Sequence, residues 1–251
     1  MIASIWESCD GPRQIDTLQG TLHRLVESQE QIASLGFVDT LEEQALLEAL
    51  LERSKPPYRA GSASDHYLLR TPFRYPPLPW GSRFGQIHQP GILYGGLSHT
   101  TTLAESAYYR LVFWHSMQGI PPKAAIHSQH ALFTVAYKTA RGVHLQDPPF
   151  DQYASQITDP ADYRDTQRLG IAMRAADVQA FEYPSARDPA HGLCVGLFVP
   201  QALAQKRPQH IMPWLCETRA ETVFFKASRA PTVITYRISD FQQDGRLPMP
   251  A

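Results

Sequence analysis

Apolar positions fall into two regimes along the chain. Within residues 12–53, Ile15, Leu18, Leu22, Leu25, Ile32 and Leu35 recur at intervals of three, four and seven, the period of one helix face. A second helix is expected from Asp39 or Thr40, with Glu42 and Glu43 as capping-box partners. It carries Leu41, Leu47, Leu50 and Leu51 and stops at Lys55-Pro56-Pro57. These two stripes predict an N-terminal α-hairpin, residues 1–60, ahead of a main domain over residues 61–251.

From about residue 65 the period shortens. Runs of β type are expected at 66–73, 92–94, 131–139, 178–183, 193–199 and 232–238. Helical stretches are expected from Thr102 to Ser116, and from Asp159, with Pro160 at the first helical position, to Ala175. The 21 prolines gather in joints between these runs, as in a turn-rich domain. Strands outnumber helices without alternating regularly with them, so the expected class is α+β rather than a doubly wound sheet.

Composition narrows the picture. The 251 residues are 43% apolar, enough for a sizeable core. With 23 basic against 24 acidic residues there is no basic excess to bind nucleic acid or an anionic membrane directly. The start, MIASIWESCDGPRQ, lacks a basic segment followed by an apolar run, and no stretch approaches a membrane span. Three cysteines, Cys9, Cys194 and Cys216, make no disulfide framework and fit a reducing compartment. The expectation is a soluble cytoplasmic protein.

Candidate chemistry concentrates in residues 66–110. Arg74 and Tyr75 enter a proline-rich bend, Gly81-Ser82-Arg83-Phe84-Gly85 forms a turn-rich run, and Tyr94 precedes Gly95-Gly96. Glu105 stands at the same spacing from Tyr94 as Tyr94 does from Arg83, at an expected helix start. Arginine forks match pyrophosphate oxygens and stay charged. A tyrosine ring can cover a planar base while its hydroxyl reaches a ribose. A carboxylate can face the positive charge that develops at an anomeric carbon during glycosidic cleavage.

The runs PFRYPP, GSRFG, PGILYGG and TTLAESAYYR, followed by Tyr183-Pro184-Ser185-Ala186-Arg187 and LCVGLFVP, resemble the RES-domain toxins over roughly residues 65–240. That resemblance implies an ADP-ribosyltransferase-like fold of two small sheets with flanking helices. It also implies breakdown of NAD+ at the nicotinamide–ribose bond, by hydrolysis or by phosphorolysis with inorganic phosphate as co-substrate. Some members transfer ADP-ribose to a protein instead. NAD+ would be substrate, with no retained cofactor and no metal. The family pattern falls on Arg74, Arg83, Tyr94, Glu105 and Ser185, with Tyr75 a further NAD+-binding candidate. Phe84-Gly85 stands where many short members carry Trp-Asn, which retains the aromatic and loses the amide. A helix-turn-helix antitoxin of Xre type is the implied partner; self-association is left open.

Each residue also has a plain structural reading. Thr102-x-x-Glu105 is a capping box. Isolated arginines are commonly surface residues, Tyr94 reads as a half-buried strand aromatic, and Ser185 reads as a turn serine. Among ten histidines, His127-x-x-His130 is the closest pair, without further ligands at metal spacing. Cys194 reads as a small buried hydrophobe, and no nucleophile elbow, P-loop or dinucleotide glycine fingerprint occurs. A rival of another class is a non-catalytic binding module working through the N-terminal helices.

Overall fold

The computed structural model describes residues 4–28, 37–119, 121 and 123–249. A short helix α1 (Ile5–Ser8) leads into β1 (Asp16–Glu27), followed by α2 (Leu41–Ser54) and α3 (Tyr67–Arg74). Then come β2 (Leu93–Gly96), α4 (His99–His115) and the long β3 (Ile126–His144). Helices α5 (Ala154–Ile157) and α6 (Arg164–Ala175) precede β4 (Ala180–Pro184), β5 (Leu193–Leu197), β6 (His210–Thr218), β7 (Thr222–Ala227) and β8 (Ile234–Arg237). The α+β class holds, with one sheet in place of two.

β3 is what joins the sheet. Its first half pairs with β6, from Ile126 opposite Thr218 to Thr134 opposite His210. Its other edge pairs antiparallel with β1, from Glu27 opposite His130 to Asp16 opposite Gly142. Its last residues, Gly142–His144, run parallel to the start of β4. The pairings β1–β2, β2–β5 and β5–β4 then close a ring of five strands, while β7 and β8 extend the sheet beyond β6. The ring is narrowest at β1–β2, where only His23 and Gly96 pair, so the rest of that edge of β1 is left unpaired beside the ring among the described residues.

The first expected helix is corrected here: its stripe forms β1. Leu18 and Leu22 have the same parity and are buried on one side of the strand, while Leu25 packs into a different cluster on the other. A strand covered on both faces mimics helical spacing. Gly20, costly inside a helix, leaves room for Tyr137, whose hydroxyl would lie 2.4 Å from an added Cβ. Eight-strand pairing overrides propensity, and the expected hairpin keeps only its second helix. Ile32 and Leu35 lie outside the described residues.

The run 66–73, expected as a strand, forms α3. Leu68, Leu69 and Phe73 bury one helical face, the His66 imidazole caps Leu68 N–H at 3.3 Å, and the helix ends where Tyr75, held extended ahead of Pro76, leaves the helical region. The helix expected from Asp159 begins at Arg164 instead. Asp159 Oδ1 accepts from the amides of Ala161 and Asp162 at 2.8 and 2.7 Å, which makes residues 159–162 a turn. β6 and β7 had no counterpart in the expectations. Their inward positions, Trp214, Cys216, Thr218, Val223, Phe225 and Ala227, alternate as a strand pattern should, but Pro213 within β6 obscures it.

Candidate active site

A cavity of about 700 Å³ opens between β1, β2, α3 and α4. Arg83, Tyr94, Glu105 and Tyr75 all line it, together with Arg24, Tyr163, Tyr183 and Cys194. Ser185 stands behind Glu105 rather than in the wall. Arg74 is not among the lining residues.

Glu105 is carried by α4, whose N-cap is Ser98: its hydroxyl accepts from Thr101 N at 3.1 Å. Glu105 therefore lies in the second turn, and the Thr102–Glu105 capping box does not form. Thr102 instead ties α4 to β1 through His23 O at 3.2 Å. One carboxylate oxygen, Oε1, accepts from Ser185 Oγ at 2.5 Å and lies 3.8 Å from Cys194 Sγ. The other, Oε2, has no hydrogen-bond partner among the described residues.

Ser185 has no choice about its proton. Fully buried after β4, its oxygen accepts from the amides of Arg187 and Asp188 at 3.1 and 2.9 Å. Those two bonds use its acceptor capacity, so the single hydroxyl proton goes to Glu105. The serine orients the carboxylate and does not face the cavity. Burial, reinforced by the Glu105 charge, pushes the Cys194 thiol well above its ordinary range, so the sulfur is a protonated neighbour and not a nucleophile.

Arg83 is 8% exposed. Its Nη1 donates to the carbonyls of Ile157 and Asp159 at 3.1 and 2.7 Å, and its guanidinium lies 4.6 Å from the Tyr163 ring centroid. Nε and Nη2 make no hydrogen bond among the described residues, which leaves donors for a ligand. Its backbone is fixed on both sides by Tyr94, whose hydroxyl meets Ser82 Oγ and accepts from Phe84 N, each at 3.1 Å. The hydroxyl expected to reach a ribose is thus spent on the arginine turn, and Tyr94 presents only its ring. Burial pushes that phenol up to about 12. Gly170 of α6 lets the same turn pack closely, since a Cβ there would meet Phe84 O at 2.0 Å.

Arg74, expected as the second arm of an anion clamp, is held elsewhere. It pairs with Glu52 of α2 at 2.8 Å, donates through Nε to Pro56 O, and lies 3.9 Å from the Tyr58 ring centroid. It fastens α2 to α3. Tyr75, its neighbour, lines the cavity and is 39% exposed.

Arg24 lines the cavity where Arg74 does not. It lies on β1 with the same parity as Leu22, and Nη1 donates to Tyr94 O at 2.7 Å. Its buried Nε has no partner, and no carboxylate pairs with it among the described residues. Burial pushes the guanidinium down to about 10, still charged at neutral pH. A half-buried arginine without a carboxylate partner beside a cavity has the chemistry to receive an anion. Reading LHRLVE as a strand would have pointed Arg24 inward with Leu22.

His127 and His130 face opposite sides of β3, the first paired with Glu217 at 3.0 Å and the second buried. Among the described residues no group of three or more His, Cys, Asp or Glu is placed to hold a metal ion.

A family model described as the RES domain matches residues 56–228. The chain belongs to the RES-domain family. Arg83, Tyr94, Glu105 and Ser185 of this RES-domain chain lie inside the match, whereas Arg24, which shares their cavity, lies before it. Among solved structures, the chain is similar to one from the M. tuberculosis MbcT–MbcA toxin–antitoxin complex. The identity is 11%, with 80% of this chain and 89% of that one covered and a TM-score of 0.47. No curated protein matches the chain.

Proposed function

We propose that this RES-domain protein is the toxin of a toxin–antitoxin pair and acts in the cytoplasm by cleaving NAD+ at the nicotinamide–ribose bond. One observation carries the reading: Glu105, held by Ser185 through one oxygen and unbonded at the other, lines a cavity that is also lined by two arginines without carboxylate partners among the described residues. Arg24 and Arg83 would bind the pyrophosphate, and the Tyr94 ring would pack beside the nicotinamide riboside. As the C–N bond breaks, its electron pair leaves with nicotinamide, which departs neutral from a cationic ring and needs no proton. Positive charge then develops at the anomeric carbon, where Glu105 Oε2 stabilises it and orients the ribose. Water or inorganic phosphate completes the reaction at that carbon. An antitoxin with a helix-turn-helix module is the partner this reading implies.

The test is incubation of purified protein with NAD+, with and without phosphate, and identification of the ribosyl product by mass spectrometry. Free ADP-ribose marks hydrolysis, and a phosphorylated ADP-ribose marks phosphorolysis. ADP-ribose found on protein after addition of cell lysate would replace the degradative reading with a transferase. NAD+ left intact in every arm would overturn the proposal.

A further inference from the structure

We propose that Arg187 is a positioning residue that keeps the Arg83 arm of the cavity in register with the Glu105 arm, an inference resting on the NAD+ reading above. Arg187 is only 4% exposed, and no carboxylate pairs with it among the described residues. Burying a charge without a counter-ion is costly unless its hydrogen bonds and ring contacts are well placed. Here they all belong to the site's framework.

The guanidinium lies 3.6 Å from the centroid of Tyr108, a turn beyond Glu105 on α4. Its Nη2 donates to Pro160 O and, at 3.1 Å, to Tyr163 Oη. Pro160 and Tyr163 belong to the same segment that offers the Ile157 and Asp159 carbonyls to Arg83, and the Tyr163 ring faces Arg83 directly. From its own backbone, Arg187 N donates to Ser185 Oγ, the group that orients Glu105. One residue therefore touches both arms without lining the cavity. A planar fork is required, since a lysine could reach the oxygen acceptors but could not stack on Tyr108 in the same pose.

The test compares Arg187→Gln, Arg187→Lys and Tyr163→Phe with wild type, measuring KM and kcat for NAD+ separately and hydrogen–deuterium exchange across residues 157–163. Arg187→Gln is expected to raise KM at least tenfold and to speed exchange in that segment. Arg187→Lys should fall between it and wild type, and Tyr163→Phe should shift both readouts in the same direction but less. In an Arg83→Ala background, Arg187→Gln should add less than twofold to KM, because the group it positions is gone. A merely structural role would lower kcat with the folded fraction and leave KM alone. Unchanged KM in a folded Arg187→Gln protein, or effects of the two substitutions that multiply fully, would overturn the inference. If wild type leaves NAD+ intact, the catalytic reading fails by itself. Exchange then decides separately: unaltered protection of 157–163 in Arg187→Gln overturns the positioning role, and accelerated exchange upholds the clamp.

Discussion

Ser185 Oγ lies 2.5 Å from Glu105 Oε1, and the rest of the serine's hydrogen-bonding capacity is consumed by two backbone amides. The proton thus points one way, and the carboxylate is fixed through one oxygen with the other left unbonded among the described residues. Preorganisation of this kind is what lets a charged group stabilise a transition state without reorganising at the moment of reaction.

Ser185→Ala removes that proton and leaves the Arg187 and Asp188 amides buried without an acceptor. The expected cost is about 1–3 kcal/mol of stability, read from denaturant midpoints. NAD+ turnover should fall roughly tenfold to a hundredfold as Glu105 loses its orientation. A variant with lowered stability and wild-type turnover would show that the serine serves only the loop.

Arg24 and Arg74 should separate cleanly. Arg24→Met removes an uncompensated cation from the cavity, and KM for NAD+ is expected to rise at least tenfold, or about 1.4 kcal/mol. Arg74→Met breaks the contact with Glu52 and Tyr58, so proteolysis around α2 should quicken while KM stays within about twofold. Equal effects on KM from both variants would return Arg74 to the site.

The contrast between these arginines also shows where the sequence was legible. Local signals sufficed for α2, for α4 and for the gathering of Arg83, Tyr94 and Glu105 around one cavity. They failed at β1, because a strand covered on both sides spaces Leu18, Leu22 and Leu25 as a helix would, and with β1 went Arg24. Arg74 was misplaced because nothing in a bend of prolines says that Glu52 and Tyr58, earlier in the chain, will claim it. The roles of Tyr94 and Ser185 depended on which hydrogen bonds their hydroxyls make, and a sequence does not record those.

His130 offers a pH signature. Burial first, and then the nearby Arg110 charge, push its imidazole down to about 4, against an ordinary value near 6.5, while Glu27 acts weakly in the other direction. The unfolded chain takes up a proton at the ordinary value and the folded chain resists it. Stability is therefore complete above about pH 6.5 and declines as pH falls toward 4, by about 3 kcal/mol from this group. Urea titrations at pH 7.5 and 4.5 should show a smaller loss in His130→Gln than in wild type. Identical losses would place the pH dependence elsewhere.

The three thiols should be silent in the native protein. Cys9, Cys194 and Cys216 are buried, and desolvation raises all three above the ordinary thiol value, most strongly at Cys194. They stay protonated at pH 8, where iodoacetamide should modify none in the native state and all three in denaturant, as counted by intact mass. Rapid native labelling of Cys194 would contradict its burial in the cavity wall.

Glu105→Gln tests the central claim most directly, since it keeps the side chain's shape and removes its charge. Measured against wild type by loss of NAD+, with circular dichroism confirming the fold, the variant should turn over at least about a hundredfold more slowly. Wild-type NAD+ consumption by a folded Glu105→Gln protein would contradict the account.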